Sequence, residues 1–447
     1  MDFLNDNVKP IYFKYLWAAF GSAMITSVYS IVDMAMVGQY QGPDGTAALA
    51  VVAPVWNIIY SLGLLMGIGG SVIFSTKRGY NPGKKGDENQ YFTAAVIGSV
   101  ILSVAAWAFI LFLDEPILLF FGADSTLLPM AQEYMKPIQF VFPLFLFNQM
   151  LAAFLRNDKN PGLATFGVLG GGIFNIFGDY IFVFTFDMGI FGAGLATAIG
   201  SAISFIIMMS HFFSSKNSLA LIRPQKLLKK LRDISMTGFS TFFIDVAMGI
   251  LTVLFNRQIM RYLGTDALAV YGPIINVSTF VQCCAYSVGQ AAQPIISTNY
   301  GAGLGLRIRE TLRYALYTTA FFGVFWTALS LACPNLYIRI FMDPTAEILA
   351  IAPTIIRRYA LSFLLLPLNI FSTYYFQAIL KPKAAFIVSV SRGLLISGIM
   401  ILLLPVIGGA DALWFAMPLT ELVVMFYVAG RIKKYTPRAG RFAAGQI

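Results

Sequence analysis

The feature that most constrains this chain is its succession of uninterrupted apolar runs, each long enough to cross the ~30 Å hydrocarbon layer that about 20 helical residues span. By run length, twelve crossings fall near residues 12–38, 47–75, 91–113, 134–156, 162–186, 190–213, 234–260, 267–298, 311–333, 357–380, 384–407 and 411–430, with ends open by several positions. So much apolar surface argues against a soluble fold. Of 447 residues, 58% are apolar and 12% charged, where soluble domains carry about 25% charged. Continuous runs also contradict an outer-membrane barrel, whose strands alternate over short segments. An all-α polytopic membrane protein is expected. Two stretches, DEPILLFFGADSTLLPMAQEY before the fourth run and LYIRIFMDPTAEILA before the tenth, read as amphipathic segments lying on the membrane.

Basic residues test the span count, because cytoplasmic loops collect Lys and Arg. With both termini inside, 25 of the 31 fall on the cytoplasmic side, among them Lys84, Lys85, the linker residues from Lys216 to Arg232, and Arg438 and Arg441 of the tail. Lys136, Arg257, Arg261, Arg339, Arg357 and Arg358 fall outside. Losing one helix would scramble this alternation, so twelve spans with both termini cytoplasmic are expected. The net charge of +10 then reflects topology, and no nucleic-acid partner is expected. The opening MDFLNDNVKP lacks the basic region and short apolar core of a cleaved signal, so the first span reads as its own signal. Cys283, Cys284 and Cys333 lie in apolar runs without metal-ligand or disulfide spacing and read as buried thiols. His211 ends an apolar run and reads as interfacial, which leaves little room for histidine catalysis or zinc.

The chain repeats itself. GTAALAVVAPVWNI at residues 45–58 and GTDALAVYGPIINV at 264–277 share eight of fourteen positions at an offset of 219. Pro143, Leu144 and Phe147 before Arg156 are answered by Pro367, Leu368 and Phe371 before Lys381. Two lobes of six helices follow, residues 1–222 and 223–447. An even helix number makes both lobes enter the bilayer from one side, related by a pseudo-two-fold along the membrane normal, with a central cleft suited to alternating access. One chain supplies both lobes, so a monomer suffices.

Ionisable residues at membrane depth default to function, because a charge there costs from about 2.5 to over 10 kcal/mol. Of the 21 acids, Asp33, Asp179, Asp245 and Glu421 sit well inside runs. The rise from Lys14 to Asp33 is ~28 Å, and that from Gly162 to Asp179 is ~26 Å, so both carboxylates reach similar depth in the outer half. Asn175 shares a helix face with Asp179 at i,i+4. Thr197 sits at comparable depth and Asn148 falls midway down the fourth helix. These oxygens suit a hard cation such as Na⁺, or protons shared between neighbouring carboxylates. Gly67, Gly69, Gly70 and Pro294 read as helix bends or as close-packing positions, the latter favoured.

In order and spacing, SIVDMAMVG at residues 30–38, GTAALAVVAP at 45–54, FNIFGDYIF and GIFGAGLAT within 174–197, GTDALAVYGPI from 264, QPIISTNYGAG at 293–303 and FQAILKPKAA at 376–385 resemble the multidrug and toxic compound extrusion (MATE) transporters of the multidrug/oligosaccharidyl-lipid/polysaccharide (MOP) superfamily. The resemblance implies a cation-coupled antiporter that exports amphipathic, often cationic, organic compounds through a V-shaped central cavity. It places the amino-lobe cation site on Asp33, Asn175, Asp179 and Thr197, with Asn148 nearby. Asp245 matches the acidic residue that many members carry on helix seven, whereas the tenth helix offers Asn369 and no carboxylate. Gln282, Gln290, Gln293 and Glu421 are further candidates to line the substrate cavity, with Asp245 and Asn369. No cofactor is expected beyond the coupling ion, Na⁺ or H⁺. The partners implied are a small organic substrate and the lipid bilayer, and the site implied is the plasma membrane of a bacterial cell.

The competing reading within the superfamily is a flippase for lipid-linked oligosaccharides, which would want a strongly cationic cavity. Arg257, Arg313 and Arg392 are the basic residues within runs, and all read as lying near run ends. An intramembrane aspartyl enzyme is less favoured, because Ile176, Phe177 and Gly178 before Asp179 do not make GxGD. No phosphate loop, zinc signature or nucleophile elbow appears, so no enzyme is expected. A channel is separated from a carrier by uphill, gradient-dependent efflux.

Overall fold

The computed structural model describes residues 2–80, 86–341, 344–437 and 440. Lys84, Lys85, Arg438 and Arg441 of the topology count lie outside the described residues, as do Met342 and Asp343 of the second amphipathic stretch. The described residues form helices and no strand. Among the described residues, ten helices are long and apolar enough to cross a membrane, or eleven with one bent pair taken as a span. The longest, Val8–Tyr80, has 73 residues, which at 1.5 Å each far exceeds one bilayer. It breaks at Gly42 (φ 70°), followed by Pro43. Glycine tolerates that left-handed backbone, and proline lacks the N–H that would continue the ladder. Its limbs, 8–41 and 43–80, are α1 and α2, and the division brings the crossings to twelve, as the apolar runs indicate.

The remaining crossings are α3 (Asn89–Phe120), α4 (Leu127–Gln139 bent by 61° into Phe142–Asn157), α5 (Pro161–Asp179), α6 (Gly189–Met209), α7 (Leu227–Tyr262), α8 (Thr265–Gly301), α9 (Gly305–Ala332), α10 (Ala346–Ala378), α11 (Pro382–Gly408) and α12 (Ala410–Tyr435). The first stretch expected on the membrane surface is divided instead. Residues to Phe120 extend α3 past a kink at Leu113, and Leu127–Gln139 is the first limb of α4. The reason is burial: Ala131, Tyr134, Met135 and Ile138 pack into a core with Val52, Val55 and Ile190. Before α10, a separate short helix does stand at Pro334–Phe341.

Two compact units result. One comprises Trp17–Phe242, the other Asp2–Leu16 with the described residues from Phe243 onward. The units therefore divide inside α7 rather than at 222/223, and packing explains both exchanges. Phe3, Ile11, Tyr12 and Tyr15 enter the core of the second unit with Ala291, Ile295 and Phe376, and Asn299 Nδ2 donates to Phe3 O at 3.0 Å. In the first unit, α2 and the start of α7 touch backbone to backbone: a Cβ on Gly69 would lie 2.1 Å from Ile234 O, and one on Gly238 2.1 Å from Leu65 O. Gly67 and Gly70 are similarly close to Met150 and Phe154, so these glycines are packing positions rather than bends.

The basic linker is tied to the first unit by a buried carboxylate. Arg78 Nη1 donates to Asp158 Oδ1 at 2.9 Å and Ser218 N to Oδ2 at 2.9 Å, with the Ser218 hydroxyl also on Oδ1. Asn160 Nδ2 meets His211 Nδ1 at 3.1 Å, which assigns the proton to Nε2, 2.8 Å from Asp158 Oδ2. His211 is thus fully buried and bonded at both ring nitrogens. Of the cysteines only Cys284 is buried; Cys283 is half-buried and Cys333 is exposed, because α9 ends at Ala332.

Candidate functional site

In the first unit, α1, α4, α5 and α6 converge on one polar cluster. The bend in α4 turns Tyr134 inward, where its hydroxyl donates to Asp33 Oδ2 at 2.8 Å. Thr197 is within hydrogen-bond reach of the same hydroxyl. Asn175 Nδ2 donates to Thr197 Oγ1 at 3.0 Å and, more weakly, to Asp179 Oδ1 at 3.5 Å. Asp33 and Asp179 are 8% and 0% exposed, and each lies in the field of the other. Asn148 reaches α6 separately, with Nδ2 3.0 Å from both the carbonyl and the hydroxyl of Ser201.

Donors are fewer than acceptors here. Asp33 Oδ1, Asn148 Oδ1, Asn175 Oδ1 and Asp179 Oδ2 are buried without a hydrogen-bond partner. A buried acceptor left open costs about 1–3 kcal/mol, and more when charged, so these four oxygens form a region of unbalanced acceptors that a proton or a small positive ion would satisfy. A cavity of about 60 Å³ is lined by the two asparagines, Asn148 and Asn175, with Thr197, Ser201, Ser204 and Tyr29 among others, and by neither aspartate. One water needs roughly 10–15 Å³ of such space, so the cavity admits a small ion with part of its hydration, not an organic substrate. Beside it α5 and α6 cross almost in contact: a Cβ on Gly171 would stand 2.0 Å from Ser204 Oγ and 2.3 Å from Gly200 O. Immediately after Asp179, residues Tyr180–Thr185 form a π-helical turn, a departure frequent at functional sites.

The structure therefore brings Asp33, Asn175, Asp179 and Thr197 together and sets Asn148 on the adjoining cavity. Tyr134 and Ser201 were not legible as members. Tyr134 sits in a segment that reads as interfacial, and only the 61° bend aims it inward.

The second-unit candidates divide differently. Asn369 and Glu421 are both fully buried and joined, with Asn369 Nδ2 2.7 Å from Glu421 Oε2 and 2.8 Å from Glu421 O. Arg392 Nε donates to Glu421 Oε1 at 2.7 Å. Neither Asn369 nor Glu421 is an open cavity wall. Arg392 corrects the sequence reading: it is ten residues inside α11 and 5% exposed, not at a span end. Its distance from Pro382, ~15 Å by helical rise, is the signal that could have found it. Asp245 is half-buried with Oδ2 unpartnered. Gln282 bonds Ser278 at 3.4 Å, the Gln293 amide nitrogen is buried without a partner, and Gln290 is half-buried.

Comparison with known proteins agrees with the repeat. The family model described as MatE matches residues 18–181 and again 238–401. The multidrug export protein MepA of Staphylococcus saprophyticus is 23% identical over 396 residues, covering 88% of this chain and 86% of its own. MepA of Staphylococcus haemolyticus is 23% identical over 411 residues, covering 90% and 88%. Among solved structures, an outward-facing multidrug resistance MATE family transporter of the MOP superfamily aligns with a TM-score of 0.87 at 18% identity over 96% of this chain and 97% of that one. The MATE multidrug transporter DinF-BH aligns with a TM-score of 0.87 at 24% identity over 96% of each.

Proposed function

The chain belongs to the MatE family, and on that premise we propose that it exports amphipathic organic compounds, cations among them, in exchange for Na⁺ or H⁺ bound at Asp33 and Asp179. The observation that carries this reading is the set of four unpartnered buried oxygens on Asp33, Asn148, Asn175 and Asp179. Two neighbouring carboxylates in a low-dielectric interior repel unless a proton or a metal cation stands with them. The cation arrives from outside, neutralises the pair, and draws α1 and α5 together around it; its departure inward restores the repulsion. A repacking of helices driven this way alternates access for the substrate. One charge moving down 100 mV supplies about 2.3 kcal/mol, roughly 50-fold in a concentration ratio.

No chemical change of the substrate is needed, so the protein acts as a carrier and not as an enzyme. The proposed setting is a bacterial plasma membrane, with both termini in the cytoplasm and a single chain sufficing. The flippase reading is weakened by Arg392, whose guanidinium is already held by Glu421 and is not free for a pyrophosphate. The test is dye efflux from proteoliposomes under separately imposed sodium and pH gradients, for the native chain, Asp33→Asn and Asp179→Asn. One gradient drives efflux by the native chain, and each variant loses at least ten-fold of it. Normal gradient-driven efflux by either variant removes that carboxylate from the site.

A further inference from the structure

The backbone marks which residues of the two units correspond. Lys159 (φ 63°) and Leu380 (φ 53°) each stand in the left-handed region two residues before the proline that opens α5 or α11. Gly189 (φ 54°) and Gly409 (φ 78°) likewise stand where α6 and α12 begin. By these anchors Gly171 corresponds to Arg392 and Ser201 to Glu421. In the first unit those positions line the small cavity, and an asparagine on the fourth helix, Asn148, donates to the carbonyl and side chain of Ser201. In the second unit Asn369 makes the same two-pronged contact to Glu421. Where the first unit has a glycine on the cavity wall, packed close against α6, the second has a guanidinium. Arg392 lies in a π-helical turn, Ser391–Leu395.

We propose that Arg392 is a built-in cation that pairs with Glu421 at the second-unit counterparts of two residues lining the small first-unit cavity, so that Glu421 binds neither Na⁺ nor a proton as a transport site. The proposal rests on the reading of the first-unit site given above. Three observations carry it. Both Glu421 oxygens are engaged, by Arg392 Nε at 2.7 Å and Asn369 Nδ2 at 2.7 Å, whereas one oxygen of each first-unit aspartate is open. The pair is sealed, with Glu421 fully buried and Arg392 5% exposed. A guanidinium does not deprotonate in proteins and is tethered, so it cannot leave as a coupling ion must. Glu421 is thereby tolerated at membrane depth without being a transport site.

The experiment counts cations on the purified full chain: radioactive sodium bound per chain, and protons taken up per chain between neutral and mildly acidic pH, with thermal unfolding to report folding. The charge-neutral double variant Arg392→Met/Glu421→Gln is expected to bind as many cations as the native protein. Arg392→Met alone is expected to bind one more, and that extra cation persists when Asp179→Asn is added. A double variant that loses one cation overturns the proposal, as does a folded Arg392→Met that gains none. If Arg392→Met does not fold, the double variant decides alone. Should Asp179→Asn leave the native count unchanged, the first-unit reading fails while the Arg392 comparison still stands or falls by itself.

Discussion

Replacing Tyr134 by Phe tests how the first-unit site sets its affinity. The ring is 3% exposed and packed in the core, so Phe preserves the packing and removes only the hydroxyl. That hydroxyl donates to Asp33 Oδ2 at 2.8 Å, while Oδ1 receives nothing. A hydrogen bond to a charged group contributes about 1.5–3 kcal/mol. It matters most when no cation is present, because a bound cation takes up the same negative charge. Deleting the donor therefore destabilises the cation-free state more than the cation-bound one. If the bound state kept none of the bond, affinity would rise about 10- to 150-fold at 1.4 kcal/mol per decade; with part of it kept, the rise is on the order of tenfold. In proteoliposome efflux at stepped sodium and proton gradients, Tyr134→Phe should reach half-maximal rate at about tenfold less coupling cation. Its maximal rate should fall, because inward release slows. A weaker or unchanged cation dependence, in a variant with unaltered thermal unfolding, refutes the view that Tyr134 competes with the cation for Asp33.

Gly171→Ala places a methyl 2.3 Å from the Gly200 carbonyl oxygen; overpacking of this kind costs about 1–3 kcal/mol, and the separation of α5 from α6 should reduce coupled efflux, while Gly249→Ala, which meets nothing within 4 Å, leaves thermal unfolding unchanged or slightly raised. Asp158 answers to pH. Burial pushes its carboxyl up, but the His211 hydrogen bond, the Arg78 charge and the Ser218 donors outweigh that and hold it below the usual carboxylate range. A folded value below the unfolded one gives stability that is complete above the unfolded carboxylate value, about 3.9, and is lost as pH falls through the folded value. Asp158→Asn should accordingly lower stability by about 3 kcal/mol at neutral pH, and the gap to the native chain in thermal unfolding should close in strong acid; a gap that is constant with pH contradicts the assignment.

The first-unit cluster was legible because its pattern is local. Asp33 and Asp179 stand out as acids in apolar runs, and Asn175 falls one turn from Asp179, so depth and facing alone select them. Glu421 stood out by the same rule, yet its role could not be read. The rule detects a charge at membrane depth but not what neutralises it, and the neutralising group, Arg392, comes from another helix. Tyr134 failed for a related reason. The segment around it is amphipathic, which fits a membrane surface as well as it fits a limb of a bent span.

Apolar runs, basic-loop asymmetry and the internal repeat settled the number of crossings and the pairing of halves, because a bilayer demands whole helices of fixed length whatever they pack against. Which residues change partners between the compact units, where α4 bends, and which buried charges are open to an ion or closed by an arginine depend on contacts between segments up to hundreds of residues apart. Only the packed chain decides those, since whether a buried carboxylate is satisfied is a property of its neighbours in space and not of its own place in a run.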